Sequence, residues 1–409
     1  NWLEVQKLTA SDGAQNDYFG SSVSISGEYA VIGAYGDDDN GSNSGSAYIF
    51  ERDGAGNWSE VQKLTASDGA YGDHFGVSVS ISGNDAVIGA FGDDDNGSVS
   101  GSAYVFERDG AGNWLEVQKL TASDGAQNDY FGSSVSISGE YAVIGAYGDD
   151  DNGSNSGSAY IFERDGAGNW SEVQKLTASD GAEGDQFGES VSISGDYAVI
   201  GAFLDGDNGT GSGSAYVYER DGLGNWIEIQ KLTASDSDAG DYFGGSVAIS
   251  GGYAVIGAER DDDNGPYSGS AYIFERDGAG NWLEVQKLTA SDGDAFDYFG
   301  RSVSIFGEDA MIGADRDDDN GEDSGSAYIF ERQEVESCPG DATGDLVVNL
   351  ADFSQLLVDF GSTDGSAADF NGDNVVDIQD FSILLVNFGN NCTAPLRAAP
   401  AGGSKKSRR

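Results

Sequence analysis

Trp2-Leu3-Glu4-Val5-Gln6-Lys7-Leu8-Thr9-Ala10-Ser11-Asp12 recurs unchanged at Trp114 and Trp282 and with one or two changes at Trp58, Trp170 and Trp226. The interval is always 56 residues, and residues 1–56 and 113–168 are identical letter for letter. A unit of this length, written six times, can bury its apolar faces against its own copies, which predicts a propeller or a solenoid. A single unique catalytic cleft fits that symmetry poorly.

Four runs in the first unit have strand character: Trp2 to Leu8, Ser22 to Ser26, Tyr29 to Ala34 and Ser46 to Arg52. Val23 and Ile25 alternate with serines, as a half-buried strand requires, while Ala47 to Phe50 places apolar groups on both faces. Turn formers separate the runs at Ser26-Gly27, Asp37 to Gly41 and Asp53 to Asn57. The expected fold over residues 1–333 is therefore all-β, a six-bladed β-propeller of four-stranded antiparallel blades. The last unit supplies Ser302 to Phe306, Asp309 to Ala314 and Ser326 to Arg332 and then no tryptophan-bearing run. Trp2 to Leu8 is expected to close the sixth blade as its outermost strand and so remove an exposed edge.

With 71 acidic against 20 basic residues the formal charge is −51, which excludes nucleic acid as a partner and disfavours anionic membrane surfaces. Two readings of this charge stand side by side: bound divalent cations offset the repulsion, or an acidic surface keeps the protein dispersed. Cys338 and Cys392 bracket a C-terminal module, and their pairing as a structural disulfide points to an oxidising, extracellular compartment. No apolar run is long enough to enter a membrane, and a chain that opens directly in a strand reads as a processed secreted protein or a fragment.

Each unit carries Phe-Gly before the second run and Gly-Ala after the third, from Phe19-Gly20 and Gly33-Ala34 to Phe299-Gly300 and Gly313-Ala314. This resembles the FG-GAP repeat, the unit of the integrin α-chain propeller, and most closely its bacterial variety with the tryptophan lead-in quoted above. The resemblance implies a propeller used for adhesion or recognition outside the cell. Three departures limit it. The family's calcium loop is missing where Gly27-Glu28 joins two strands, so its blade calcium sites are not carried over. Integrin propellers have seven blades. The proline usual after Gly-Ala is replaced by Tyr35, Phe91, Tyr147, Phe203, Glu259 and Asp315.

In an antiparallel meander the loops joining strands two and three emerge on the same face as the loops joining blade to blade. That face collects Asp12, Asp17, Asp37, Asp38 and Asp39, then Asp93, Asp94 and Asp95, Asp149, Asp150 and Asp151, Asp261, Asp262 and Asp263, and Asp317, Asp318 and Asp319. The fourth unit is thinned to Asp205 and Asp207. Oxygen-rich loops suit calcium, and Asp, Asn and Gly also simply form turns; both readings stand. Tyr18 and Tyr35 beside the acids would either stack on sugars or pack blade junctions.

After a linker at 334–337 the pattern changes. Asp341, Thr343, Asp345, Val347, Asn349 and Asp352 occupy positions 1, 3, 5, 7, 9 and 12 of an EF-hand-like loop, and Asp369, Asn371, Asp373, Val375, Asp377 and Asp380 repeat the spacing. Carboxylates at alternate positions wrap one Ca2+, and the seventh residue offers its carbonyl. Each loop runs into an apolar segment, Phe353 to Phe360 and Phe381 to Phe388. Residues 338–392 resemble a type I dockerin, a small α-helical calcium-folded domain, which implies docking to a cohesin-like protein. Leu346 stands where the loop usually has glycine, and Leu357, Val358, Leu385 and Val386 stand where dockerins often present polar residues, so self-association stays open. Residues 393–409 end in a Lys/Arg cluster and are expected to be a disordered basic tail.

The expected function is an extracellular, non-catalytic binding and scaffolding protein: a propeller that recognises a polysaccharide or cell-surface ligand, attached through the calcium-stabilised module. The alternative is a self-assembling subunit of an extracellular fibre or surface layer, with Trp2 to Leu8 donated to a neighbour. A carbohydrate-active propeller enzyme ranks third. The single histidine, His74, stands where other units have Tyr18, Tyr130 or Gln186. Acid–base chemistry also needs two carboxylates in unlike surroundings, which six near-copies resist.

Overall fold

A computed structural model of the chain describes residues 5–318, 321, 323–332, 350–361, 368–369 and 375–387. Two compact units are present, Asn1–Glu331 and Arg332–Arg409. The first is a six-bladed β-propeller built of antiparallel sheets that each follow the chain in order. Blade one consists of Val23–Ser26, Tyr29–Ala34, Ser46–Arg52 and Trp58–Leu64, from the inner strand to the outer. Alternation sets the register: Val31 pairs with Ile49, Ile32 with Tyr48, and Ser26 with Tyr29 across the Gly27-Glu28 turn. A register shift at Ile49/Phe50 recurs in blades one to five and raises the local twist.

The second strand is apolar on both sides because it is sandwiched. Its Val31, with Ala47 and Ile49, faces Val79, Ile81, Ile88, Tyr104, Phe106 and Trp114 of the following blade in one buried cluster. Four further clusters repeat this junction down to blade six. The Phe-Gly and Gly-Ala pairs owe their residue types to the same junction. Phe75 is fully buried, Gly76 has φ 90°, and a Cβ at Gly33 would collide with the Gly76 carbonyl oxygen of the next blade. Ser22 seals the contact by donating its hydroxyl hydrogen to that same carbonyl at 2.8 Å.

The expected closing strand is where the structure departs from the sequence reading. Blade six shows three strands among the described residues, Ser302–Phe306, Asp309–Ala314 and Ser326–Glu331. Residues 5–8 form no strand, and residues 1–4 lie outside the described set. A strand needs a partner edge, and none meets this segment. It rests on blade one instead: the Gln6 side-chain amide donates to the Trp58 carbonyl at 2.7 Å and accepts from the Trp58 N–H at 2.9 Å.

In the second unit, helices Leu350–Asp359 and Ile378–Asn387 pack Leu356, Leu384, Val376 and Ala368 together with Phe353 and Phe381. Asp377 caps the second helix by accepting from the Gln379 N–H at 2.7 Å, and Asp380 reaches back to accept from the Asp377 N–H at 2.8 Å. The linker at 334–337, both cysteines, the stretch 393–409, and Asp341, Thr343, Asp345, Val347, Asn349, Asn371 and Asp373 lie outside the described residues.

Candidate active site and the acidic loops

The acidic face does gather carboxylates, and each group holds a cation supplied by the chain itself. Asp12 from the lead-in loop meets Asp37 and Asp39 from the loop after the second strand, with oxygens within 4.8 Å of one another. Lys63, from the outer strand, places its Nζ at 2.8, 3.0 and 2.6 Å from Asp12, Asp37 and Asp39. The Tyr48 hydroxyl sits 2.9 Å from Asp12 and 3.0 Å from Asp37. Lys119, Lys175, Lys231 and Lys287 occupy the same position in the following blades. Burial pulls the Lys63 ammonium down, but its hydrogen bonds to Asp12, Asp39 and Asp37 outweigh this and raise its pKa. These clusters have the spacing to hold a metal ion, and an arriving ion would have to displace an ammonium from each.

Of the sequence candidates, Asp12, Asp37, Asp39, Asp93, Asp95, Asp149, Asp151, Asp261 and Asp263 join these clusters. Asp38, Asp94 and Asp150 do not: each accepts from a backbone N–H within its own loop, those of Asn43, Val99 and Asn155. Asp318 does the same for Asp323, and Asp319 lies outside the described residues. Asp17 is buried and accepts from the Ala14 N–H. Its counterparts Asp73, Asp129 and Asp241 are pushed up to about 6 by burial. Sequence reasoning found Asp12 but missed its equivalents Asp68, Asp124, Asp180 and Asp236, and it missed Lys63 with its equivalents, although a lysine five residues after every tryptophan was in plain view.

A second site lies where the inner strands begin and the second strands end, nearest the propeller axis. Here the six units stop being copies. The residue after Phe-Gly runs Ser21, Val77, Ser133, Glu189, Gly245, Arg301, and the residue after Gly-Ala ends in Glu259 and Asp315 after four aromatics. Units one to three stack rings, Tyr18 on Tyr35 at 5.0 Å, His74 on Phe91 at 5.0 Å and Tyr130 on Tyr147 at 4.8 Å. Burial lowers the His74 pKa, and the imidazole serves as a packing ring.

Units four to six carry charge instead. Arg301 reaches Glu259 at 3.4 Å and Asp315 at 3.3 Å, and Arg260 lies 3.9 Å from Glu259 while stacking on Tyr242 at 4.1 Å. Burial raises the Glu259 pKa, and Arg301 and Arg260 oppose the rise. Glu189 is pushed up to about 7 by burial and then by the neighbouring Glu259 charge. Beside it Tyr147 is pushed up to about 12, first by burial and then by Glu189. Two carboxyls with unlike surroundings therefore lie in adjacent units, near enough for the charge of Glu259 to raise the pKa of Glu189.

The FG-GAP repeat family model matches residues 2–50, 58–106, 114–162, 170–218, 226–274 and 282–330, and the chain belongs to that family. The matches end before the second unit, so the dockerin resemblance gains no support from them. No curated protein matches the chain. Among solved structures, a protein from Lactobacillus plantarum is similar at 14% identity, covering 77% of this chain and 81% of its own, with a TM-score of 0.52. A periplasmic gluconolactonase from Pseudomonas aeruginosa is similar at 16% identity over the same shares, with a TM-score of 0.48. At 14% identity the likeness to the Lactobacillus plantarum protein speaks for the fold alone.

The expectation of a non-catalytic scaffold is corrected on the axial cluster: Glu189 and Glu259 are carboxyls in unlike surroundings, so the objection from the sameness of the repeats no longer holds.

Proposed function

We propose that the protein is a carbohydrate-active propeller enzyme, a hydrolase whose site is the axial cluster of units three to six. The observation that carries this reading is the pairing of Glu189, which holds its proton near neutral pH, with Glu259, flanked by two arginines. Glu189 in its acid form donates a proton to the leaving oxygen of a glycosidic or lactone linkage. Glu259 as a carboxylate takes a proton from the attacking water, and Arg301 and Arg260 beside it oppose the rise that burial imposes on its pKa. One water is consumed, one C–O bond breaks and one forms, and solvent resets both carboxyls. The stacked rings of Tyr130 and Tyr147 offer an apolar floor for a sugar face.

The test is hydrolysis of a panel of chromogenic glycosides and sugar lactones by the full chain and by Glu189→Gln. Turnover by the wild type and a loss of about 100-fold or more in kcat for the variant are expected. No turnover on the whole panel, or an undiminished variant, would overturn the reading.

The same proposal places the protein outside the cytoplasm and assigns Ca2+ to the second unit. Asp369, the Val375 carbonyl, Asp377 and Asp380 would hold it, with a protein partner recognised through the helices. Support comes from the loop spacing and from Asp380, a wholly buried carboxylate at the twelfth position. Chelation is expected to lower the helical circular dichroism signal, and an unchanged signal would count against the assignment.

A further inference from the structure

Resting on the hydrolase reading above, we infer that the substrate of the axial site is an acidic sugar, a uronic acid residue whose carboxylate is held by Arg260 and Arg316. The distribution of positive charge points there first. Through residues 1–333 the other basic side chains keep to two repeat positions, a lysine from Lys7 to Lys287 and an arginine from Arg52 to Arg332. Three arginines stand off the repeat, Arg260, Arg301 and Arg316. All three lie near enough to Glu259 to oppose the rise in its pKa. Neutralising a chain of formal charge −51 would call for cations spread over its surface, whereas these are gathered at the axis.

Two of the three are uncommitted. Arg301 spans Glu259 and Asp315, but Arg260 lies 3.9 Å from Glu259, beyond hydrogen-bond reach, and its Nε is closed off from solvent without a partner. Arg316 pairs with no carboxylate among the described residues. The repeat arginines differ, as Arg164 reaches Glu107 at 3.0 Å and Arg220 reaches Asp196 at 2.9 Å. Aromatic faces hold the free guanidiniums in place. Arg260 lies over Tyr242 at 4.1 Å and over Tyr267 at 5.5 Å, Arg316 lies over Tyr298 at 4.8 Å, and Tyr267 stacks on Tyr298 at 5.9 Å. Stacking engages the face of a guanidinium and leaves its in-plane N–H donors for a planar acceptor that can take two of them. A carboxylate is such an acceptor.

The loop that carries both arginines has been reshaped to admit them. Arg260 and Arg316 stand at the position of Gly36, Gly92 and Gly148. A Cβ at those glycines would run into the carbonyl oxygens of Asn16, Gly72 and Asn128, so the frame of units one to three leaves no room for a side chain. Three guanidiniums against Glu259 and Asp315 also leave one positive charge to be matched. A uronide would meet the Tyr130 and Tyr147 rings under its sugar face, Glu189 at the leaving oxygen and the two free guanidiniums at its carboxylate.

The experiment measures binding by titration calorimetry with the full chain carrying Glu189→Gln, so that turnover plays no part. The probes are oligosaccharides of glucuronate, galacturonate and mannuronate, each beside its methyl ester, which keeps the shape and removes the charge. At least one uronate is expected to bind about tenfold or more tightly than its ester, as charge-assisted hydrogen bonds would give. Arg260→Met and Arg316→Met, each made in that background, should remove most of this preference and leave the affinity for the ester and the circular dichroism as they were. Equal binding of acid and ester, or of neither, would overturn the inference, and so would a preference that survives both substitutions. Galactose 6-sulfate bound more tightly than galacturonate would overturn the choice of a carboxylate. The two readings fail separately. A wild-type chain that binds a uronate in this way without cleaving it contradicts the hydrolase proposal, whereas cleavage of neutral and acidic sugars alike contradicts only the substrate assignment.

Discussion

Residues 1–56 and 113–168 are the same sequence in two places, and they do not have the same interior. Val23 and Ile25 are exposed in the first, while Val135 and Ile137, the same letters in the same strand, are 8% and 6% exposed in the second. Phe131 is fully buried, whereas its copy Phe19 packs only in part. The three inner strands form in both, while Trp114–Leu120 is a strand and residues 5–8, part of its copy, are not. Local sequence is therefore enough for the inner strands, and the neighbouring blade supplies the burial. In energetic terms, most of each unit's apolar stabilisation resides at the junction and not within the sheet.

The largest effect should come from charging one member of the pair. Ile137→Asp buries a carboxylate in a dry junction and is expected to cost about 4 kcal/mol or more in urea unfolding, while Ile25→Asp should leave the unfolding of the single chain nearly unchanged. Equal losses would break the comparison. Next comes the glycine of the junction. A Cβ at Gly89 collides with the Gly132 carbonyl of the following blade, whereas at Gly313 it meets only the Ser302 hydroxyl. Gly89→Ala is expected to cost about 3 kcal/mol and Gly313→Ala clearly less, by the same measurement.

Smaller effects should follow for the lysine clusters. Lys119→Met leaves Asp68, Asp93 and Asp95 without their ammonium and is expected to cost about 1–3 kcal/mol, since two of the three carboxylates are half exposed and screened. Lys7→Met should cost little by the same measurement, since Lys7 is exposed. Millimolar Ca2+ should raise the melting temperature of Lys119→Met more than that of the wild type, because the ion would then enter without displacing an ammonium.

The smallest effect is on pH. Asp73, Asp129 and Asp241 have folded pKa values of about 6, above the ordinary carboxylate value. The folded state then binds more protons than the unfolded one between about pH 4 and 6, so stability contributed by these groups is full at the acid end and fades as pH rises through 6. Urea midpoints should rise modestly from pH 7 to pH 5; a fall would contradict the burial of these carboxyls.

Much of the fold was legible because its rules are local. Alternation placed Val23–Ser26 and Tyr29–Ala34 to within a residue, and the period of the tryptophans gave six blades. The closing strand was not legible, because pairing of Trp2 to Leu8 depends on where the far end of the chain lies and not on any letter in it. The acidic face was half legible. The loops were found, but the ammonium that fills each cluster arrives from a strand some 26 residues beyond Asp37, a link that only register reveals. The axial site was written in the sequence as the few positions where the repeat fails. Glu189, Glu259, Asp315 and Arg301 were visible as departures, but what separates a working carboxyl from a surface one is burial.

The most direct measurement of the central claim, that these departures form an acid–base pair, is a carbon-13 carboxyl titration of the full chain, with Glu189→Gln identifying the Glu189 resonance. The account predicts that Glu189 titrates near pH 7 and that its midpoint falls when Glu259 is replaced by glutamine. A midpoint in the ordinary glutamate range, unmoved by that substitution, would contradict it.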